Sequence, residues 1–405
     1  MTQTTAHPLP MERKDPLAPP VEYDRLRTEA PVSRLSFPDG SEGWLVSRFA
    51  DVTSALVNPV FSSERRFNSS AVNTVTLTEE ERKNSGFAAS FIGMDPPDHT
   101  RYRRMLTGGQ FTVRRMKSLT PRIEQIVDEH LDAMEAAGPP ADLVQQFALP
   151  IPSLVICELL GVPYEDRVSF QGRTSTLLRL DRSKEELLDA LNGMATYMRG
   201  LVADKRRNPD DALISDLITA VPEDGVPLTD EELLGISNLL LVAGHETTAN
   251  MIGLGTLALL THPDQWAMVR DNPDTIERAV EEMLRYLSII QFGLPRIAKA
   301  DTMLGDQQVK AGESVVLALA SANRDAAHFA SPEILDVTRD AIRHVGFGYG
   351  VHQCLGQQLA RMEMRSAFAK LTQRFPNLRL AVPADEVPMR SDMAIYGVHK
   401  LPVSW

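Results

Sequence analysis

"HVGFGYGVHQCLGQQLARMEMR", residues His344 to Arg365, decides how this chain is read. Cys354 is one of only two cysteines, preceded by Gly346, Gly348 and Gly350 and followed by Gly356. A thiolate that ligates a metal needs open backbone around it, so that a bulky cofactor can approach. Glycines supply that space and also reach the positive φ of tight turns. A helix beginning at or just after Cys354 adds its positive end and lowers the thiol pKa. Backbone N–H groups of such a loop can donate to the sulfur and tune it. An isolated cysteine in a glycine turn would be read as a small buried hydrophobe. Here the whole pattern F-G-x-G-x-H-x-C-x-G is present, as Phe347, Gly348, Gly350, His352, Cys354 and Gly356, and it favours the ligand.

Around this stretch lies ordinary globular material. The 405 residues are 43% hydrophobic and 24% charged, and the net charge of -12 argues against nucleic acid as a partner. Two cysteines make no disulfide framework, and a reducing cytoplasm fits them. The N-terminal residues 1–20 are polar and proline-rich with no apolar signal core, and are expected to form a loose surface arm. No repeat or linker divides the chain, so one domain over 1–405 is expected. Helical periodicity dominates, as in "TPRIEQIVDEHLDAMEAAG" and "TIERAVEEMLRYL". Ser41–Arg48 and Gln307–Ala320 look like strands, the second with a hairpin turn at Ala311-Gly312. The class is therefore mainly α with small β-sheets.

One helical stretch, residues 229–262, is unusually long. Thr229 and Glu232 form a T-x-x-E capping box at its start, and His262-Pro263 ends it. About 33 residues at a rise of about 1.5 Å span roughly 50 Å. It is apolar on nearly all faces, but Asn238, His245, Glu246 and Asn250 inside it argue for a helix through a protein core and against a membrane span. A carboxylate there is costly unless something needs it, and Gly244 and Thr247 beside it are poor helix-interior residues. Cys157, in "SLVICELLGVP", reads as core packing.

The Cys354 pattern resembles the haem-binding loop of the cytochrome P-450 superfamily, the haem-thiolate monooxygenases. Four further stretches agree in the same order: "MDPPDHTRYRRML" with His99 and Arg103, "LLVAGHETT" in the long helix, "EEMLR", and "LPRIAKAD" with Arg296. The resemblance covers essentially the whole chain, and the wording is closest to soluble actinobacterial enzymes. It implies an α-rich prism with haem held between the long helix and the Cys354 loop with the helix after it (residues 344–373). It implies haem b (iron protoporphyrin IX) with Cys354 as thiolate ligand, which favours O–O cleavage. His99, Arg103, Arg296 and His352 match residues that hold the haem propionates. Phe347, Gly348, Gly356, Ala243 and Gly244 match other positions against the haem. Glu282 and Arg285, with Arg339, match a structural brace of the haem loop. Glu246 and Thr247 match the acid–alcohol pair of oxygen activation, with Glu246 relaying protons and a widened groove at Ala243-Gly244 accepting O2. His245 faces elsewhere and reads as a packing or hydrogen-bonding residue.

The same resemblance implies a hydroxylase of a hydrophobic molecule, a polyketide or macrolide, steroid-like, statin-like or xenobiotic compound, in secondary metabolism or detoxification. With no flavin or nicotinamide domain in the chain, electrons would come from a ferredoxin and an NAD(P)H-dependent reductase. Arg101, Arg104, Arg114, Arg115, Lys117, Arg361 and Arg365 are candidates for the docking face of that partner; a merely solvated charge run is the bland alternative. The substrate wall is expected from Phe87, Phe91, Ile92, Leu239, Val242, Ala243, Ile289, Ile290, Phe292, Ala394 and Ile395, mostly apolar positions. Loop Ser62–Ala89 suits a mobile lid. A cytoplasmic monomer without membrane contact is expected. Two alternatives stay open: a peroxide-driven haem-thiolate enzyme, and a haem-thiolate sensor without turnover.

Overall fold

The computed structural model describes residues 6–64, 71–72, 75–109, 111–222, 224–340 and 343–405. Eight helices carry the argument: α1 (Asp98–Gly108), α2 (Thr120–Ala137), α3 (Pro150–Leu160), α4 (Arg167–Leu178), α5 (Lys184–Arg207), α6 (Asp230–Thr261), α7 (Ile276–Leu287) and α8 (Gln357–Arg374). Five strands form one sheet: β1 (Val32–Ser36), β2 (Glu42–Val46), β3 (Phe61–Ser62), β4 (Leu294–Ala298) and β5 (Ser314–Leu317), in the order β1-β2-β5-β4-β3. The class is mainly α with small sheets, as expected.

The long helix forms where its caps require. Thr229 Oγ1 accepts from Glu232 N–H, and Glu232 Oε2 accepts from Thr229 N–H at 2.7 Å, so the orphan donors of the first turn are satisfied. Its 32 residues span about 48 Å through the largest apolar cluster. Gly244 lets α3 approach closely: a Cβ there would sit 2.7 Å from Ile156 Cδ1. Among the described residues no helix is long and apolar enough to cross a membrane.

Two expectations need correction. Gln307–Val309 does not pair with β5 across Ala311-Gly312. It pairs antiparallel with Thr302–Leu304, while β5 runs parallel to β2 and antiparallel to β4. Gly312 instead sends its N–H to Ala298 O at 2.8 Å, turning the chain into β5, the central strand. The N-terminal arm is not loose over its described part. His7 bridges β1, Leu9 and Leu17 are buried, and Arg13 stacks 4.0 Å over the Tyr396 ring. Tyr396 Oη donates to Pro16 O at 2.8 Å, and Arg324 Nη2 donates to Leu17 O at 3.3 Å. Apolar anchors and satisfied carbonyls hold it down. Of the lid loop, residues 65–70 and 73–74 lie outside the described residues. Its far end is pinned, since Asn238 Nδ2 donates to Gly86 O at 2.9 Å from within α6.

Candidate active site

The Cys354 loop is a tight turn laid between the end of α7 and the start of α8. Gly348 and Gly350 take φ of +70° and +73°, the left-handed region that favours glycine. A Cβ at Gly350 would meet Leu56 O at 2.7 Å. Cys354 N–H donates to Phe347 O at 2.8 Å, closing the turn. Burial raises the Cys354 thiol on balance, and the Gly356 N–H, Arg103, Arg361 and the Gln357 N–H offset part of that rise. Those backbone donors and cations are the groups that would favour the thiolate there. Cys157 is the contrast: buried among apolar side chains, its thiol is pushed up to about 12.

Four nitrogen-bearing side chains from three segments meet beside it. His99 and Arg103 stand one turn apart on α1, Arg296 lies on β4 and His352 precedes the cysteine. The His99 and His352 rings are 4.1 Å apart. Both nitrogens of His99 and Nε2 of His352 are buried with no hydrogen-bond partner among the described residues. Burial, then repulsion from His99 and Arg296, holds His352 down to about 3; burial and then Arg103 lower His99 as well. Buried unpartnered donors beside two guanidiniums need anions. A macrocycle that offers carboxylates to this cluster and a metal to the Cys354 sulfur fits the residues present.

Further predicted residues lie on α6. From Leu233 to Leu259 it is buried except at Leu239, Val242, Ala243, Gly244 and Thr247. Leu239, Ala243 and Thr247 recur every four residues, so one stripe of the core helix borders open space. Thr247 Oγ1 donates to Ala243 O at 2.8 Å. Gly244 does not serve that groove as expected; its missing Cβ faces Ile156. Glu246 also points away from the stripe. Its Oε2 accepts from Arg390 Nη2 at 3.1 Å and from Asn250 Nδ2 at 3.2 Å. His245 is fully buried, its Nδ1 2.7 Å from Leu241 O and its ring edge-on to Phe170.

The brace forms as a buried unit. Arg285 donates twice to Glu282 at 2.8 Å, and Arg339 Nε donates to Glu282 Oε2 at 3.1 Å. Of the wall positions, Phe91 and Ile289 are buried, while Phe87, Ile290, Ala394 and Ile395 are half-buried. An isolated bridge pairs Ile290 with Ile395. Phe292 departs from the wall and packs on the cluster of Leu9, Tyr23 and Leu35; Ile92 is exposed and joins no apolar cluster.

The basic face is thinner than expected. Arg101 is held by Asp224 and Glu232, each at 2.6 Å, at the start of α6. Arg361 makes a bidentate pair with Glu281, and Arg365 pairs with Glu277 at 2.9 Å. Against the cost of burying it, His344 and Arg361 hold the Glu281 carboxyl down to about 2. Arg104, Arg114, Arg115 and Lys117 remain exposed, and Lys117 and Arg365 line a groove of about 400 Å³ beside α8. The sequence reading missed Arg390, Glu281 and His344, whose partners lie on other elements, and read Asn250 only as an interior polar residue.

The model of the family described as Cytochrome P-450 matches residues 173–402. The chain is 48% identical over 379 residues to cytochrome P-450-SU2 of Streptomyces griseolus, covering 94% of this chain and 91% of that one. It is 45% identical over 396 residues to pentalenic acid synthase of Streptomyces avermitilis, covering 98% and 96%. Among solved structures, CYP105P1 in complex with filipin I superposes with a TM-score of 0.91 at 43% identity, covering 99% of each chain. With the fold, the Cys354 loop and relatives matched along almost their full length, the chain belongs to the cytochrome P-450 family and is a monooxygenase of it.

Proposed function

We propose that this enzyme hydroxylates a hydrophobic small molecule with haem b, O2 and two electrons per turnover. The substrate class is polyketide or macrolide, steroid-like, statin-like or xenobiotic. Cys354 is the thiolate ligand, and His99, Arg103, Arg296 and His352 hold the propionates. The observation that carries this reading is the set of buried, unpartnered imidazole nitrogens beside two guanidiniums and one thiol. Bound there, the haem supplies oxygen activation and transfer of one oxygen atom. The residues supply the rest. The Glu282–Arg285–Arg339 brace and the Gly348–Cys354 turn hold the sulfur in place. Thr247 offers a hydroxyl on the open stripe of α6, free to turn from the Ala243 carbonyl toward a water in the cavity. Glu246 reaches that stripe only by leaving Arg390, whose side chain is 13% exposed. Proton transfer then runs through carboxylate, water and hydroxyl. Leu239, Val242, Ile289, Ile290, Ala394 and Ile395 exclude water and orient the substrate by apolar contact.

Electrons come from a ferredoxin and an NAD(P)H-dependent reductase; Lys117, Arg104, Arg114 and Arg115 are exposed cations on the face that would meet it. The enzyme works as a single-domain cytoplasmic monomer. The test is twofold. Titration of the ferric protein with a library of hydrophobic natural products should give a low-to-high-spin shift for the substrate class. Product should then form with NADPH, ferredoxin and reductase. Product only with peroxide would support the peroxide-driven alternative, and no spin shift with any compound the sensor. Cys354→Ser should remove the red-shifted Soret band of the ferrous carbon monoxide complex; an unaltered band would reject the ligand.

A further inference from the structure

We propose that Glu281, His344 and Arg361 form a positioning triad for the Cys354 turn, separate from the Glu282–Arg285–Arg339 brace, with His344 Nδ1 as its contact on the loop backbone. The inference rests on the reading of Cys354 as the haem ligand. Glu281 precedes Glu282 on α7 and makes a different set of contacts. Its Oε1 accepts from Arg361 Nε at 2.6 Å and its Oε2 from Arg361 Nη2 at 2.9 Å. The same Oε2 lies 3.1 Å from His344 Nε2, on a side chain only 2% exposed. The other ring nitrogen settles the tautomer. Gly346 N–H donates to His344 Nδ1 at 3.0 Å, so Nδ1 carries no hydrogen and Nε2 is the donor to Glu281.

The contacts converge on two residues. Gly346 passes so close to the last turn of α7 that a Cβ would meet Leu284 O at 2.8 Å. Phe347 follows, with Arg361 Cζ 4.5 Å over its ring. The Phe347 carbonyl is the one that accepts from Cys354 N–H. The brace acts elsewhere: Arg285 donates to Asn323, Pro332 and Ile334 carbonyls, and Arg339 to Ala330, Ser331 and Ile334. It fixes the segment below the loop, whereas the triad fixes the turn that aims the sulfur. Outer partners of a metal ligand orient it and tune the metal.

Two isosteres separate this from packing. In His344→Asn the side-chain oxygen stands near the Nδ1 position and keeps an acceptor for Gly346 N–H. In His344→Gln the amide reaches toward Glu281 and leaves that N–H without one. Three readouts are taken on the holoenzyme: the rate at which the ferrous carbon monoxide complex loses its thiolate-type Soret band, the haem midpoint potential, and amide exchange over 345–354. His344→Asn, which keeps the acceptor but loses the reach to Glu281, should change all three readouts less than His344→Gln. His344→Gln should lose the band several-fold faster, shift the potential and exchange several-fold faster at Gly346. Equal behaviour of the two variants would overturn the acceptor role, and no change in either would overturn the triad. Should His344→Gln not fold, Arg361→Lys, which cannot span both Glu281 oxygens, carries the same readouts, and wild-type values there overturn the triad. A wild type that lacks the thiolate band would instead remove the Cys354 reading, leaving amide exchange to decide the triad alone.

Discussion

Glu246 and Thr247 are neighbours in sequence but look in different directions. Thr247 borders the cavity, while Glu246 is tied to Arg390 and Asn250. A buried carboxylate in an apolar helix announces itself in sequence, because its desolvation needs a reason. Its partner does not, since Arg390 lies 144 positions away in a segment with no motif. The four propionate-type residues were legible only through the order of their motifs; their convergence is a product of the fold. If Thr247 supplies the hydroxyl of the proton path, Thr247→Ala should keep NADPH consumption but send most of it to peroxide. Product per NADPH equal to wild type would reject that role.

At the scale of elements, α6 was readable from end to end, because a capping box and a Pro stop are local signals. The sheet was not. β4 contains Pro295 and β3 is two residues long, so neither shows the alternation that marks a strand. The apparent hairpin at Ala311-Gly312 failed because a turn signal says where the chain bends, not which strand it then joins. Gly244 gives a test of how α6 packs. Alanine in a helix interior gains up to about 1 kcal/mol over glycine. The added Cβ would face Ile156 at 2.7 Å, and overpacking costs about 1–3 kcal/mol. Gly244→Ala should therefore lower stability by up to about 3 kcal/mol, measured by thermal or urea unfolding. Adding Ile156→Ala should be less than additive. Strict additivity of the two losses would mean that the helices do not meet there.

For the whole molecule, acid is the informative stress. Glu281 is held down to about 2 from an ordinary value of 4.5. A depressed carboxyl contributes stability above its unfolded pKa and loses it as pH falls toward the folded one. The stake is on the order of 3 kcal/mol at most, for one partly exposed group. Glu281→Gln should thus destabilise at neutral pH and show a flatter loss of stability between about pH 5 and pH 2. Parallel wild-type and variant curves over that range would count against it. The N-terminal arm sets a second test. Arg13 and Pro16 hold Tyr396, and Tyr396 N–H donates to Ile289 O at 2.9 Å on the expected substrate wall. Deleting residues 1–18 should raise the dissociation constant of a spin-shifting ligand several-fold, with the Soret band of the carbon monoxide complex unchanged.

That arm also bears on how the enzyme can be joined to other proteins. A reductase or affinity tag fused ahead of the arm would pull on a strap whose far side touches the proposed substrate wall. Linker length and stiffness at that end would then change which molecules are turned over, even with every pocket residue intact. A screen of fused electron donors is therefore also, unintentionally, a screen of substrate preference, and needs an unfused control supplied with the same donor in solution.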